Sequence, residues 1–365
     1  YLINKQSLKK MTLKTFFIFC YLLFACVSLD AQHIRKYNKL TQENGLLSNR
    51  VTAISEDPIG RIWIGTSDGI NLYDGAHIMG NPKSMSDSIF QPGKIIEIKS
   101  FKQEMIIAAD NGIYCYDFTT NKYRLLIKSE LHNTSKALAL TIDAVVILCN
   151  NTLYKWAEQK ISILNNNVYF NRIQVDNQGN LWGATFTTVA KCDKKGNVLA
   201  SFNFAESYDR DVLITSLYCD SKNLTWVGTK RHGILRFDPI QNKFKAQLPQ
   251  PTQIQNVCSI AEDAEGRLWI GHNKGVAVFD YINQYTEYRM LIENFDNELN
   301  STVCAIYKSK LDDMILGTYF NGAFCLSKND SWLDFLHVTN PERARGIVIN
   351  NILMSSKKQL WVATN

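Results

Sequence analysis

At 365 residues and 45% hydrophobic content, the chain is long enough to bury a sizeable core, and its formal net charge of +6 is mild. It carries no Lys/Arg run and no basic stripe interleaved with aromatics, which argues against nucleic acid as a partner of this region. No pair among its nine cysteines has zinc-type spacing.

In chain order, residues 1–10 precede Met11, which reads as the initiator. From there Lys14, the apolar run "TFFIFCYLLFACVSL" and the small residue Ala31 form a secretory signal with cleavage before Gln32. An alternative reading takes "LFAC" as a lipoprotein signal ending at Cys26. The run is short for a membrane span. Removing residues 1–31 takes away four Lys and one Asp, so the net charge falls to +3. Seven cysteines remain, an odd number, mostly inside apolar strand patterns where Cys acts as a small hydrophobe.

Next comes the unit that organises the chain. "VTAISEDPIGRIWIGTSDGINLYDG" (Val51 to Gly75) reads as three short strands separated by turn residues. "VCSIAEDAEGRLWIGHNKGVAVFD" (Val257 to Asp280) repeats it closely, and looser copies start at Ile214 and Phe170. Weaker ones surround Ile106, Val146 and Ile315, and an eighth begins at Ile349. With Trp63 as marker, the equivalents fall at 106, 146, 182, 226, 269, 315 and 361, spaced by 36 to 46 residues. A period of about 40–50 residues with some four strands per unit belongs to β-propeller blades.

The outer strands are also visible. "NKYRLLI", "NKFKAQL" and "NQYTEYRML" follow the third strands of three units, and "HIRKYNKLTQENGLLSN" (His33 to Asn49) resembles them. A segment of that kind at the start of the chain predicts that the strand around Tyr37 closes the ring by pairing with the last blade. The sequence therefore predicts an all-β fold: a seven-bladed β-propeller of four-stranded blades over residues 32–330, after upstream residues and signal at 1–31. Residues 331–365, from "SWLDFLHV", would be the truncated start of a second propeller. An eighth blade of one larger ring is the alternative.

Asp57, Asp176, Asp220 and Asp263 each stand six residues before a Trp, three of them with Gly three residues before it. Asp at such a turn can bond its own backbone amides, and the ring of Trp63, Trp182, Trp226 or Trp269 suits packing between blades. These positions are expected to be structural.

The sentences "EDPIGRIWIGTSDGINLYDG" and "EDAEGRLWIGHNKGVAVFD", with "NGLLSNRVTAI" ahead of the first, resemble the two-component regulator propeller repeat. In that family two seven-bladed propellers form the periplasmic sensor of hybrid two-component systems, followed by a membrane span and a histidine kinase. The resemblance implies a non-catalytic, periplasmic sensing region that recognises a polysaccharide-derived oligosaccharide. Its expected partners are that ligand, a second propeller, a downstream membrane-linked kinase and, as an option, a second copy in a homodimer. A secreted glycan-processing enzyme and an interaction scaffold are the alternatives, since a propeller fold by itself selects no function.

A ligand would have to meet the loops between second and third strands. Early blades present Ser67, Asp68, Asp110, Asn111, Asn150 and Asn151, and Phe186 follows. The candidate ligand-binding residues are Arg231 and His232, His272 and Asn273, then Tyr319, Phe320 and Asn321. Aromatic faces beside amide and cationic donors suit sugars, and Tyr319 and Phe320 stand out because bulky aromatics are poor turn residues. His232 and His272 are isolated, so no metal or cofactor is expected.

Overall fold

The computed structural model describes residues 37–80, 90, 92–129, 135–207, 212–247, 254–282 and 301–327, together with the strands at 285–289, 349–354 and 360–364. The signal segment and Ser331–Val338 lie outside the described residues.

The strands form seven four-stranded antiparallel sheets, each a meander of consecutive strands except the last. We call them blades 1 to 7. Their innermost strands are Val51–Glu56, Ile95–Phe101, Lys136–Leu140, Arg172–Val175, Ile214–Cys219, Ser259–Glu262 and Val303–Lys308. Each innermost strand touches that of the next blade, and the seventh touches the first, so the ring closes on seven. The closing strand is Tyr37–Leu40, which pairs antiparallel with Ala323–Leu326 as the outer strand of blade 7. That pairing removes the open edge a cut ring would present. The eight-blade alternative is thereby excluded.

Ile349–Met354 and Leu360–Thr364 form a separate two-stranded sheet. Leu353 pairs with Trp361 and Met354 with Leu360, with a register shift between Ile349 and Asn351. Blade 1 opens the same way: Ser55 pairs with Trp63, Glu56 with Ile62, and the register shifts between Val51 and Ala53.

In blades 1, 4, 5 and 6 the turn from first to second strand is built around one buried carboxylate. Asp57 Oδ1 accepts the amides of Ile59 (3.1 Å) and Arg61 (2.9 Å), while its Oδ2 accepts Arg61 Nε (2.7 Å) and Trp63 Nε1 (3.2 Å). Asp263 repeats the set with Glu265, Arg267 and Trp269. In blade 4, Asn180 replaces the arginine as side-chain donor to Asp176. In blade 5 that position is Leu224, and Tyr281 of the next blade donates its hydroxyl to Asp220 instead (3.2 Å). Burying a carboxylate is costly unless donors replace water, and these four donors do so.

The tryptophans pack between blades. Trp63, Trp226 and Trp269 are wholly buried; Trp63 meets Tyr116 and Phe118 of blade 2, and Trp226 meets Tyr281 of blade 6. Two residues after Trp63, Gly65 faces the next blade so closely that a Cβ would sit 2.5 Å from Ile95 Cγ2. The glycine is what lets blades 1 and 2 approach. Seams are also tied by acids: Glu262 accepts the Ser221 amide (2.8 Å) across blades 5 and 6, and Glu56 accepts the Lys310 amide (2.7 Å) across blades 7 and 1. The seven described cysteines are free thiols, buried or half-buried, with pKa values raised by burial at Cys115, Cys149, Cys192 and Cys219.

Two outcomes follow from this architecture. Deleting residues up to Leu40 strips blade 7 of its outer strand, and the melting temperature should fall by about 10 °C or more in a calorimetric scan; an unchanged value would contradict closure by this strand. Trp269→Ala should cost about 3–5 kcal/mol in urea unfolding, the scale of large-to-small core changes.

Candidate functional site

Because the strands of each blade alternate in direction, the second-to-third turns open on one face, the face on which each innermost strand begins. The blade 7 turn on that face is held from several sides. Tyr319 N donates to Thr302 O (2.9 Å), Phe320 N to Ser301 Oγ (3.3 Å) and Asn321 N to Thr318 Oγ1 (2.8 Å). Gly322, at φ +76°, donates its amide to Asn49 O (2.9 Å) at the start of blade 1. That bond brings the next residue, Arg50, over the turn: its guanidinium carbon lies 4.1 Å from the Tyr319 ring centroid. Tyr319 and Phe320 stand edge to face at 4.6 Å, and Phe320 is 68% exposed. The result is an aromatic platform capped by an arginine whose Nε is buried without an acceptor.

The other candidate residues sit on the neighbouring turns of the same face. Arg231 is exposed and His232 half-buried in blade 5, with the His232 amide donated to Thr229 Oγ1 (2.9 Å). His272 of blade 6 occupies the position filled by Thr66, Thr229 and Thr318 in blades 1, 5 and 7, whose hydroxyls bond within their turns. It is only 6% exposed and accepts the Lys274 amide at Nδ1 (3.4 Å), so its ring serves the turn and offers a ligand little surface. Asn273 beside it is half-buried. Tyr319, Phe320 and Asn321 therefore form one cluster with Arg50, while Arg231, His232 and Asn273 belong to separate turns.

A second feature lies at the axis. All seven innermost strands line a central cavity of about 580 Å³. The strand registers align its wall into layers. One is small: Ala53, Ala137, Ser216, Ser259 and Ala305 occupy it in five blades. In the other two blades the position holds Glu97 and Arg172. Immediately beyond, the layer is aliphatic in every blade, as with Ile54, Leu138 and Ile260. Burial pulls Arg172 below its ordinary pKa, against the opposing pull of Glu97 two blades away. Glu97 itself is engaged, accepting the Leu138 amide at Oε2 (2.8 Å) and Lys99 Nζ at Oε1 (3.3 Å). Lys136, 4% exposed, donates to Asp110 O (3.0 Å) and is lowered by burial.

Sequence reasoning had not singled out Arg50 or Arg172. The available signal was a charged residue set within or just ahead of an aliphatic inner strand, as in "NRVTAI" and "NRIQV".

Comparison with known proteins adds the following. Residues 45–68 and 253–274 match the two component regulator propeller family, so the chain carries repeats of that family. Histidine kinase P4 of Formosa agariphila is 40% identical over 53 residues, which is 14% of this chain and 4% of that protein. Among solved structures, the extracellular domain of the hybrid two component system BT4673 from B. thetaiotaomicron superposes with TM-score 0.63 at 18% identity, covering 90% of this chain and 44% of that one. That of BT3049 gives 0.63 at 17%, covering 90% and 46%. Virginiamycin B lyase from Staphylococcus aureus gives 0.62 at 12%, covering 80% and 98%. The chain thus spans less than half the length of the hybrid-system domains it matches, and at these identities the likeness establishes the fold. The fold hosts a lyase as well as these extracellular domains.

His272 yields a pH prediction. Burial holds its pKa below the ordinary 6.5. Above pH 6.5 the imidazole is neutral in folded and unfolded chains alike and contributes nothing to the pH dependence. As pH falls through 6.5 the unfolded chain binds a proton that the folded chain resists, so stability drops until the lower folded pKa is passed. His272→Thr, which restores the residue of the sister blades, should flatten that loss between pH 7.5 and 5.5 in urea titrations.

Proposed function

We propose that this chain is the ligand-sensing propeller region of a hybrid two-component signalling system, non-catalytic in itself, and that its ligand is a polysaccharide-derived oligosaccharide. The carrying observation is the blade 7 platform: Tyr319 and Phe320 at 4.6 Å, with Arg50 stacked on Tyr319. Sugar rings present apolar faces that an aromatic side chain desolvates, and a guanidinium beside it donates to hydroxyl or acid oxygens. The match of two stretches to two component regulator propeller repeats supports the signalling context. Under this reading the region works outside the inner membrane, with a second propeller and a membrane-linked kinase following, and a second copy as a further partner. Among the described residues no helix is long and apolar enough to cross a membrane.

Calorimetric titration of the exported protein with a panel of oligosaccharides tests the proposal. One member should bind without turnover, and Tyr319→Ala or Phe320→Ala should weaken it about tenfold or more, as loss of an aromatic anchor does. Hydrolysis or lyase cleavage of the panel would favour an enzyme instead.

A further inference from the structure

We propose that the mouth of the central channel binds an anionic group of the ligand, a carboxylate or a sulfate ester carried on a sugar, between Arg172, Lys94 and Arg50. This rests on the sensing role proposed above and narrows its ligand class.

Three features converge on it. Arg172 lines the cavity from a layer that is Ala or Ser in five blades, so small neighbours leave room beside its long side chain. Among the described residues nothing hydrogen-bonds or ion-pairs with its guanidinium, and Glu97, the acidic residue at the same level of the wall, is taken by Lys99 and the Leu138 amide. A half-buried guanidinium without a partner pays part of its desolvation for no return, which an incoming anion would reverse.

Arg50 and Lys94 then hold equivalent places at the rim. The carbonyl of each accepts the first amide of its blade's second-to-third turn, from Ser67 and Asp110 respectively, at 3.0 Å. Each therefore stands just above its innermost strand. Arg50 keeps an unsatisfied Nε while its guanidinium carbon sits 4.1 Å from the Tyr319 ring centroid. Arg172 lines the cavity, and Arg50 and Lys94 stand two residues ahead of Thr52 and Ile96, which line the same cavity in blades 1 and 2. With Lys136, the described upper wall carries four cations against Glu97 and Asp110. An acid on a sugar seated at Tyr319 and Phe320 would enter this field directly, with the ring on the platform and the charge toward the channel.

The test is titration of the wild-type chain and of Arg172→Gln and Arg172→Lys with three kinds of oligosaccharide: neutral, uronate-bearing and sulfated. Free glucuronate and inorganic sulfate serve as small probes in thermal-shift assays. Acidic sugars should bind, with affinity falling as salt is raised. Arg172→Gln should lose about tenfold or more, the scale of a charge-assisted hydrogen bond, and Arg172→Lys should recover part of it. Which acidic series wins decides between carboxylate and sulfate. If neutral sugars bind equally well to wild type and Arg172→Gln, the anionic site is overturned and the sensing role stands. If the free anions raise the melting temperature of wild type but not of Arg172→Gln, and no sugar binds, the anionic site stands and the sugar-sensing role falls. If neither free anions nor acidic sugars bind, the anionic site is wrong. The melting temperature of ligand-free Arg172→Gln should match or exceed that of wild type, since a half-buried unpaired charge has been removed.

Discussion

Four of the seven blades in this ring depend on a carboxylate that water cannot reach. Asp57 is fully buried and Asp220 nearly so, and each spends one oxygen on two turn amides and the other on an indole N–H and a further donor. The two buried polar groups answer each other. The carboxylate needs donors once desolvated, and the indole of a wholly buried tryptophan needs an acceptor. The pair thus sets the turn, the strand and the inter-blade ring in one arrangement. Where the aspartate is missing, the device is weaker: in blade 7, Ser309 Oγ accepts the amides of Leu311 (3.2 Å) and Asp313 (3.0 Å), with no indole beyond it.

Turns fixed in this way can then be linked sideways. Glu56 and Glu262, each one residue before its aspartate, reach the turn of the preceding blade and accept its amide. The Glu56 link joins the two ends of the propeller, as does the pairing of Tyr37–Leu40 with blade 7. Closure by side chain on one face and by strand on the outside leaves the opposite face free for chemistry.

That face gathers its residues from both ends of the ring. The bond from Gly322 to Asn49 holds blade 7 against the start of blade 1, and this seam is where Arg50 meets Tyr319. At the axis, small residues on the innermost strands leave the cavity that Arg172 enters. Stability is thus placed in turns and seams, and the Arg50–Tyr319 platform is built at the seam where the ring is closed.

The repeat period and the alternation of strand and turn residues determined the architecture from sequence alone, because a blade is a local object whose four strands are consecutive. Even the weak copies around Ile106, Val146 and Ile315 landed on second strands. The aspartate turns and the burial of Trp63 and Trp269 were legible for the same reason. The indole-to-carboxylate bond was less so, since it depends on where a side chain points after folding. His272 read as a surface donor and proved a buried turn residue, because only its place in the threonine series reveals its environment. Arg50 with Tyr319, and Arg172 with Glu97, lay beyond the sequence entirely. Those groupings follow from ring closure and from the convergence of innermost strands on one axis, and no local pattern encodes which residues of distant blades will meet there.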